Sequence, residues 1–477
     1  MNFLQIFSKK RACVINKASV PSTIIDKSPN QGSSILGPDR NHHSKGGRKV
    51  EKFFQLKAHN TTVKIEIMAG ITTFMTMAYI LAVNPGILSA AGMPAGGVFT
   101  ATALASLIAT VVMALFANLP IALAPGMGLN AFFAFAVVLG MGYSWQLALT
   151  AVFVEGIIFI LMSFFNIREA IVKSIPKNIK NAVSVGIGLF IAFIGLQNAG
   201  IVINNDATLV GLGDVTSGGA LLAIIGLVLT GVLLAMKVKG ALLIGIIAST
   251  IIGIPMGVTS IPKGWSPFSA PDAPLLFQFD FSQLFTVDFV VVLFTFLFVD
   301  IFDTIGTLVG VTTQAKLIDA KGNIPKVKQA LMADAIGTVA GACLGTSTVT
   351  SYIESAAGVA EGGRTGLTSL TTGILFGLAL FLSPLFLLVP GAATAPALIL
   401  VGFFMLSPVK DIELSDPTEA IPAFLTMLMM PLAYSIAEGL VFGILSYIFL
   451  KAITGKFKDI TIVTWVVGFF FVLKHLI

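Results

Sequence analysis

The sequence predicts an all-α polytopic membrane protein whose fourteen transmembrane segments form two inverted repeats of seven. Three observations carry that prediction. The first is charge: 56% of the 477 residues are hydrophobic and only 11% are charged, less than half the ~25% of a soluble domain. So small a polar share cannot cover the surface of a soluble protein, and a mean hydropathy of +0.95 agrees. The second is the recurrence of apolar stretches near the ~20 residues that a spanning helix needs. The third is a pair of interruptions rich in Gly, Pro, Ser and Thr, at the same ordinal place in each half. Together they exclude a soluble enzyme, a nucleic-acid binder and a secreted disulfide scaffold.

In chain order, residues 1–50 are polar, without helical periodicity, and read as a disordered basic tail. Residues 1–64 hold 12 Lys and Arg against 3 Asp and Glu, which concentrates the formal charge of +6 there. Such a lead suits a cytoplasmic segment near anionic lipid. No apolar core of signal-peptide type follows the first basic residues, so a cleaved secretory signal is not expected.

The first seven segments fall at 65–88, 97–117, 121–139, 145–165, 182–199, 218–236 and 239–258. The second seven fall at 287–312, 327–344, 346–361, 367–390, 392–407, 419–435 and 436–452, the last break being inferred within one apolar run. A shorter apolar stretch, 460–473, reads as interfacial. With the tail in the cytoplasm, alternation places Arg168, Lys173, Lys180, Lys237, Lys321 and Lys410 on the inner side and Lys263 outside. That asymmetry is the positive-inside pattern.

Segment 3 is interrupted by LPIALAPGMGLN (119–130) and segment 10 by GTSTVTSYIES (345–355). Seven crossings reverse the direction of the chain, so repeats of seven are inverted relative to each other. Paired, broken helices in inverted repeats are the sequence-level mark of a carrier's binding site. Non-helical backbone at that depth is tolerated where it lines a cavity or is buried in protein.

The chemistry rests on acids. Glu155, Asp300, Asp303, Asp334, Glu354 and Glu438 fall within apolar segments, where a carboxylate must be paired, hydrated or protonated. Asp300 and Asp303, in FVDIFDTIGTL (298–308), share one helix face with Thr304 and Thr307 near them. They read as substrate or proton ligands, with Asp300 the better substrate candidate; the alternative is helix–helix hydrogen bonding. Glu354 follows Ser351 at the spacing of a capping box, yet in a broken midplane helix it also presents acceptors to a ligand with N–H donors. An anion is disfavoured there. In APGMGLNAFF (124–133), Pro125, Gly126 and Gly128 permit the break, and Asn130 either orients a ligand or caps the resumed helix. Glu155, Asp334 and Glu438 read as structural. Two cysteines (Cys13 and Cys343) and four histidines outside the apolar middle give neither a disulfide framework nor a metal site. No enzyme cofactor loop or nucleophile constellation is visible.

At these motifs the chain resembles the nucleobase–cation symporter-2 group, in its azaguanine-type branch of hypoxanthine, guanine and adenine permeases. The likeness runs from FFQLKAHNTTVKIEIMAGITTFMTMAYILAVNP (53–85) through APGMGLNAFF, FVDIFDTIGTL and GTSTVTSYIESAAG to about residue 452. The resemblance implies the uracil-transporter-like fold, in which short strands interrupt segments 3 and 10 and meet at the midplane. It implies a core domain from 65–166 (segments 1–4) and 287–390 (segments 8–11). A gate domain would comprise 182–258 (segments 5–7) and 392–452 (segments 12–14), leaving 453–477 as a short apolar end. Asp300 and Glu354 would bind substrate with Asn130 and Gly128 in support, and Asp303 would be the second acid that transport needs. Proton coupling would fall to Asp303, Asp300 or Glu354.

The activity so implied is proton-coupled purine nucleobase import by elevator-type alternating access. The carrier would sit in the cell membrane with its amino terminus cytoplasmic, a homodimer through the gate domain. Its partners would be the purine and the lipid bilayer, with no nucleic acid, and with no metal or cofactor beyond the coupling proton. Sodium in place of the proton, an anion transporter on the same fold, and a purine-responsive sensor without flux remain open alternatives.

Overall fold

The computed structural model describes residues 45–165, 176–216, 218–318 and 324–476. Residues 1–44 of the basic tail, and Arg168, Lys173 and Lys321 of the basic loops, lie outside the described residues. Residues 45–50, read from the sequence as structureless, instead belong to helix α1 (Lys45–Phe53).

The first half continues with α2 (Val63–Met77), α3 (Ile80–Ala90), α4 (Ala95–Val112), strand β1 (Leu123–Pro125) and α5 (Met127–Ala131). Helices α6 (Trp145–Phe165) and α7 (Lys177–Asn198), the hairpin β2 (Val202–Asn205) and β3 (Leu209–Leu212), α8 (Gly218–Ala235) and α9 (Ala241–Gly253) complete it. The second half opens with α10 (Val287–Gln314), α11 (Val327–Leu344), strand β4 (Val349–Ser351), α12 (Ser355–Ala360) and α13 (Gly366–Ala379). It ends with α14 (Gly391–Phe404), α15 (Pro417–Leu432), α16 (Ile436–Ile453) and α17 (Ile462–Leu476).

Among the described residues, nine helices are long and apolar enough to cross a bilayer, and Met127–Gly140 and Ala241–Gly253 are shorter apolar helices. The other predicted segments are shorter or more polar for visible reasons. Segment 3 divides into β1, α5 and a π-helical stretch, Phe132–Gly140. Segment 10 divides into β4 and α12, and α11 carries Lys328 and Asp334. Segment 1 is also broken, between Met77 and Ile80, with Pro85 inside its second half. The inferred break in 420–452 falls at residues 433–435, where the Ser435 hydroxyl accepts from the Glu438 amide at 3.3 Å and starts α16. The apolar stretch at 460–473 forms α17, which packs on α16 and α10.

Two sets of helices pack chiefly among themselves. Helices α2–α6 form one set with α10–α13, and α7–α9 form the other with α14–α16. They meet where α5 and α10 touch α7, where α10 touches α16, where α2 touches α9 and where α3 touches α14. The apolar core runs through that junction: Phe132 meets Phe296 edge-on at 4.9 Å within one set, Phe190 meets Tyr434 at 5.3 Å within the other, and Phe135 meets Tyr434 across it at 6.0 Å. Such contacts stabilise beyond simple burial.

Candidate functional site

The two interruptions meet. Strands β1 and β4 pair antiparallel, with Leu123 opposite Ser351, Ala124 opposite Thr350 and Pro125 opposite Val349. Neither strand has a sheet beyond the other, so its outer polar groups need partners elsewhere. Threonines on the flanking helices supply them. Thr110 of α4 donates to the Leu123 carbonyl at 3.1 Å and accepts from the Leu123 amide at 2.9 Å. Thr338 of α11 donates to the Val349 carbonyl at 2.9 Å. The Gly126 amide reaches the Thr348 carbonyl at 2.9 Å, and the Tyr352 amide reaches the Ala122 carbonyl at 3.0 Å, which closes the crossing.

Beside this crossing lies a cavity of two adjoining compartments, about 380 Å³ and about 70 Å³. The larger is within the range of small-molecule sites. Its lining includes Lys180 and Pro408, both half-buried, and the exposed Ser407. The smaller reaches the crossing itself, at Gly126, Gly128, Ser351 and Tyr352. Asp303 and Glu354 line both compartments, and Ile187 of α7 with Val401 and Met405 from the α14 end form an apolar wall.

Helix α10 delivers Asp303 to this lining, but not Asp300, the residue that the sequence put first for substrate. Asp300 is fully buried, with its Oδ1 at 3.3 Å from the Thr304 hydroxyl. That hydroxyl also stands 2.7 Å from Asp334 Oδ1 and 2.8 Å from the Thr350 hydroxyl. Asp300 therefore belongs to a polar cluster joining α10, α11 and β4.

Glu354 stands at the start of α12, where its side chain makes no capping bond. Instead Oε1 accepts from the Tyr79 hydroxyl at 2.8 Å. The capping box read at Ser351 and Glu354 does not form, because Ser351 is held in β4 and its hydroxyl has no partner among the described residues. Asn130 lies outside the lining. Its Oδ1 accepts from the Ser347 hydroxyl and its side-chain amide reaches the Pro125 carbonyl at 3.5 Å, so it braces the crossing. Gly128 lines the smaller compartment, and a Cβ there would lie 2.6 Å from Ile187 Cγ2. Side-chain bulk at that position is excluded by the approach of α7.

Glu155 of α6 accepts from the Thr348 hydroxyl at 2.7 Å and thus also supports the crossing. Two residues escaped the sequence reading. Tyr79 occupies the break between α2 and α3; a phenol inside an apolar run, in TFMTMAYI, was the available signal. Glu66, fully buried, accepts from the Arg364, Thr365 and Thr368 amides at 2.9, 3.2 and 3.2 Å and from the Thr368 hydroxyl at 2.6 Å. It ties α2 to the start of α13. Among the described residues, no group of three or more His, Cys, Asp and Glu is placed to hold a metal ion.

Residues 64–442 match the permease family. The chain is 46% identical to guanine/hypoxanthine permease PbuO of Bacillus subtilis, over 85% of this chain and 96% of the relative. It is 43% identical to adenine permease AdeP of Escherichia coli, over 90% of this chain and 96% of the relative. Among solved structures, the transmembrane domain of a cyanobacterial bicarbonate transporter, BicA, aligns with a TM-score of 0.60 at 16% identity. That alignment covers 79% of this chain and 97% of BicA's, and it is a likeness of fold alone. These relatives are transporters rather than enzymes, and with its many apolar helices the chain is a multi-pass protein of the cell membrane. It belongs to the permease family, in the nucleobase–cation symporter-2 group whose motifs it carries.

Proposed function

We propose that this permease imports purine nucleobases together with a proton, by movement of one helical set against the other. The observation that carries the reading is the composition of the cavity: Asp303 and Glu354 come from one helical set, and Ile187, Val401 and Met405 from the other. The carboxyls accept hydrogen bonds from the N–H groups of a purine, and the apolar wall covers its ring faces. The acids come from the α2–α6 and α10–α13 set, which corresponds to segments 1–4 and 8–11 and acts as the core that carries substrate. The wall comes from α7 and α14, in segments 5–7 and 12–14, which act as the gate. Substrate bound between two separately packed sets is exposed to one side or the other when they slide.

The paired crossing of β1 with β4 and its two flanking threonines support fourteen segments in two inverted repeats. If the basic loops face the cytoplasm, the part of the cavity lined by Lys180 lies toward that side. The coupling proton resides on Asp303 or Glu354, with Asp300 in the cluster behind them. Adenine, guanine and hypoxanthine permeases among the relatives support the substrate class. The fold is shared with an anion carrier, BicA. Two carboxylates facing the cavity weigh against an anion here, since like charges repel.

Proteoliposomes holding the full chain test the reading. Labelled hypoxanthine, guanine or adenine should accumulate under an inward proton gradient, compete with one another, and leave again on adding a protonophore. Purine binding without flux identifies a sensor. Sulfate or bicarbonate flux that purines do not inhibit would overturn the assignment.

A further inference from the structure

The β1–β4 crossing leaves one hydroxyl with nothing to do. Ser351 is 2% exposed, and its Oγ has no hydrogen-bond partner among the described residues. A buried hydroxyl without a partner is costly, and native proteins keep few of them. Several other buried polar atoms share that state, Thr73, Thr100 and Ser249 among them, yet of these unpartnered side chains Ser351 alone lines the cavity. It lines the smaller compartment, beside Tyr79, Gly126, Gly128 and Glu354. Its backbone is paired opposite Leu123, so its position is set by the crossing rather than by a loop.

The chemistry of the compartment defines what is missing from it. Asp303 and Glu354 when ionised only accept hydrogen bonds, and the coupling proton gives the pair a single donor at most. Tyr79, Tyr352 and Thr307 also carry hydroxyls there: Tyr79 donates to Glu354 Oε1 at 2.8 Å and Tyr352 to the Pro125 carbonyl, while Thr307, one turn beyond Asp303 on α10, lines both compartments. A purine carries N–H donors on some edges and bare ring nitrogens or a carbonyl oxygen on others. Carboxylates alone would desolvate those acceptors without replacing their water. We infer that the Ser351 hydroxyl supplies that donor, meeting an acceptor atom of the purine in the smaller compartment while the carboxyls take its N–H groups. This rests on the purine reading above and adds a specificity-determining residue to it.

Ser351→Ala removes the hydroxyl at nearly constant volume, and the loss of an unpaired group leaves the empty carrier at least as stable as wild type. The measurements are equilibrium binding and uptake KM for adenine and hypoxanthine, with the melting temperature of the ligand-free protein in detergent. Losing one neutral hydrogen bond to ligand raises Kd about tenfold. A panel of deaza analogues, each lacking one ring-nitrogen acceptor, locates the contact when that acceptor is a ring nitrogen. The analogue without the partnered atom binds wild type and S351A equally. Equal loss across the panel places the contact on the exocyclic oxygen, provided that hypoxanthine is the purine affected. Affinities in S351A within about twofold of wild type for every purine overturn the inference. Wild-type protein that neither binds nor moves any purine overturns the purine reading itself, so the two failures are distinct.

Discussion

The Tyr79 hydroxyl donates to Glu354 Oε1 at 2.8 Å, joining the break in the first spanning segment to the start of α12. Glu354 thereby enters the cavity with one oxygen already engaged and its direction set. Tyr79→Phe keeps the ring and its packing and removes that one bond. A hydrogen bond to a charged group contributes about 1.5–3 kcal/mol. We therefore expect purine uptake efficiency, kcat/KM, to fall about 10- to 100-fold, a factor of ten for each ~1.4 kcal/mol. Uptake kinetics in cells or proteoliposomes measure this, and wild-type kinetics in Y79F would remove Tyr79 from the site.

Asp303 and Asp300 should separate cleanly. Asp303 faces the cavity, whereas Asp300 meets Thr304, 3.3 Å away, in the cluster that includes Asp334. In Asp303→Asn the charged acceptor is lost where the ligand sits, and equilibrium purine affinity should drop about tenfold or more. In Asp300→Asn affinity should stay within about threefold, with the damage appearing in thermal stability or turnover, as for a buried network. Binding measured directly, without flux, distinguishes the two. The reverse ranking would return Asp300 to the lining.

The contrast between these two acids shows where sequence reasoning ends. That several carboxyls sit in the apolar segments is legible from composition, because their cost in lipid demands a role. The crossing is legible too, since Pro125, Gly126 and the Ser and Thr run at 345–351 cannot form a plain lipid-facing helix. But residues three apart on a helix differ by only about 60° around its axis. Which of them faces a cavity is decided by neighbours such as Thr350 and Asp334, supplied by distant parts of the chain. Glu66 is the same lesson in structural form. Its partners at Arg364–Thr368 are remote in sequence, and no residue beside Glu66 in the chain points to them. Asn130 lies beside the crossing, and its bond to Ser347 directs it there and away from the lining.

Gly128 offers a test of the junction between the two helical sets. A methyl group there would lie 2.6 Å from Ile187 Cγ2, well inside contact distance. Overpacking of this kind costs about 1–3 kcal/mol. Gly128→Ala should lower uptake several-fold by pushing α7 away from α5. Ile187→Ala removes the opposing methyl, so uptake in the double variant should recover above that of G128A alone. Absence of that recovery, with both proteins equally expressed, would show that the close approach does not limit transport.

The last prediction concerns acid stability at the α15 end. Asp416 starts that helix, accepting from the Thr418 amide at 2.9 Å and hydroxyl at 2.8 Å, and Lys456 Nζ stands 2.7 Å from its other oxygen. The Lys456 ammonium first, and then the Thr418 groups, hold its carboxyl well below the ordinary carboxylate range. A value lowered by folding means that the unfolded chain takes up the proton first as pH falls. The stabilisation is therefore fully present above the unfolded carboxylate value of about 4, and it declines as pH falls below that. Asp416→Asn keeps a capping oxygen and removes the charge. The gap in melting temperature between wild type and D416N should be constant from neutral pH down to about 5 and then narrow in more acid buffer. High salt should shrink the same gap, because the pair is open to solvent and is screened. A gap that persists unchanged into acid would show that the carboxylate charge is not its source and leave the Lys456 pair without weight.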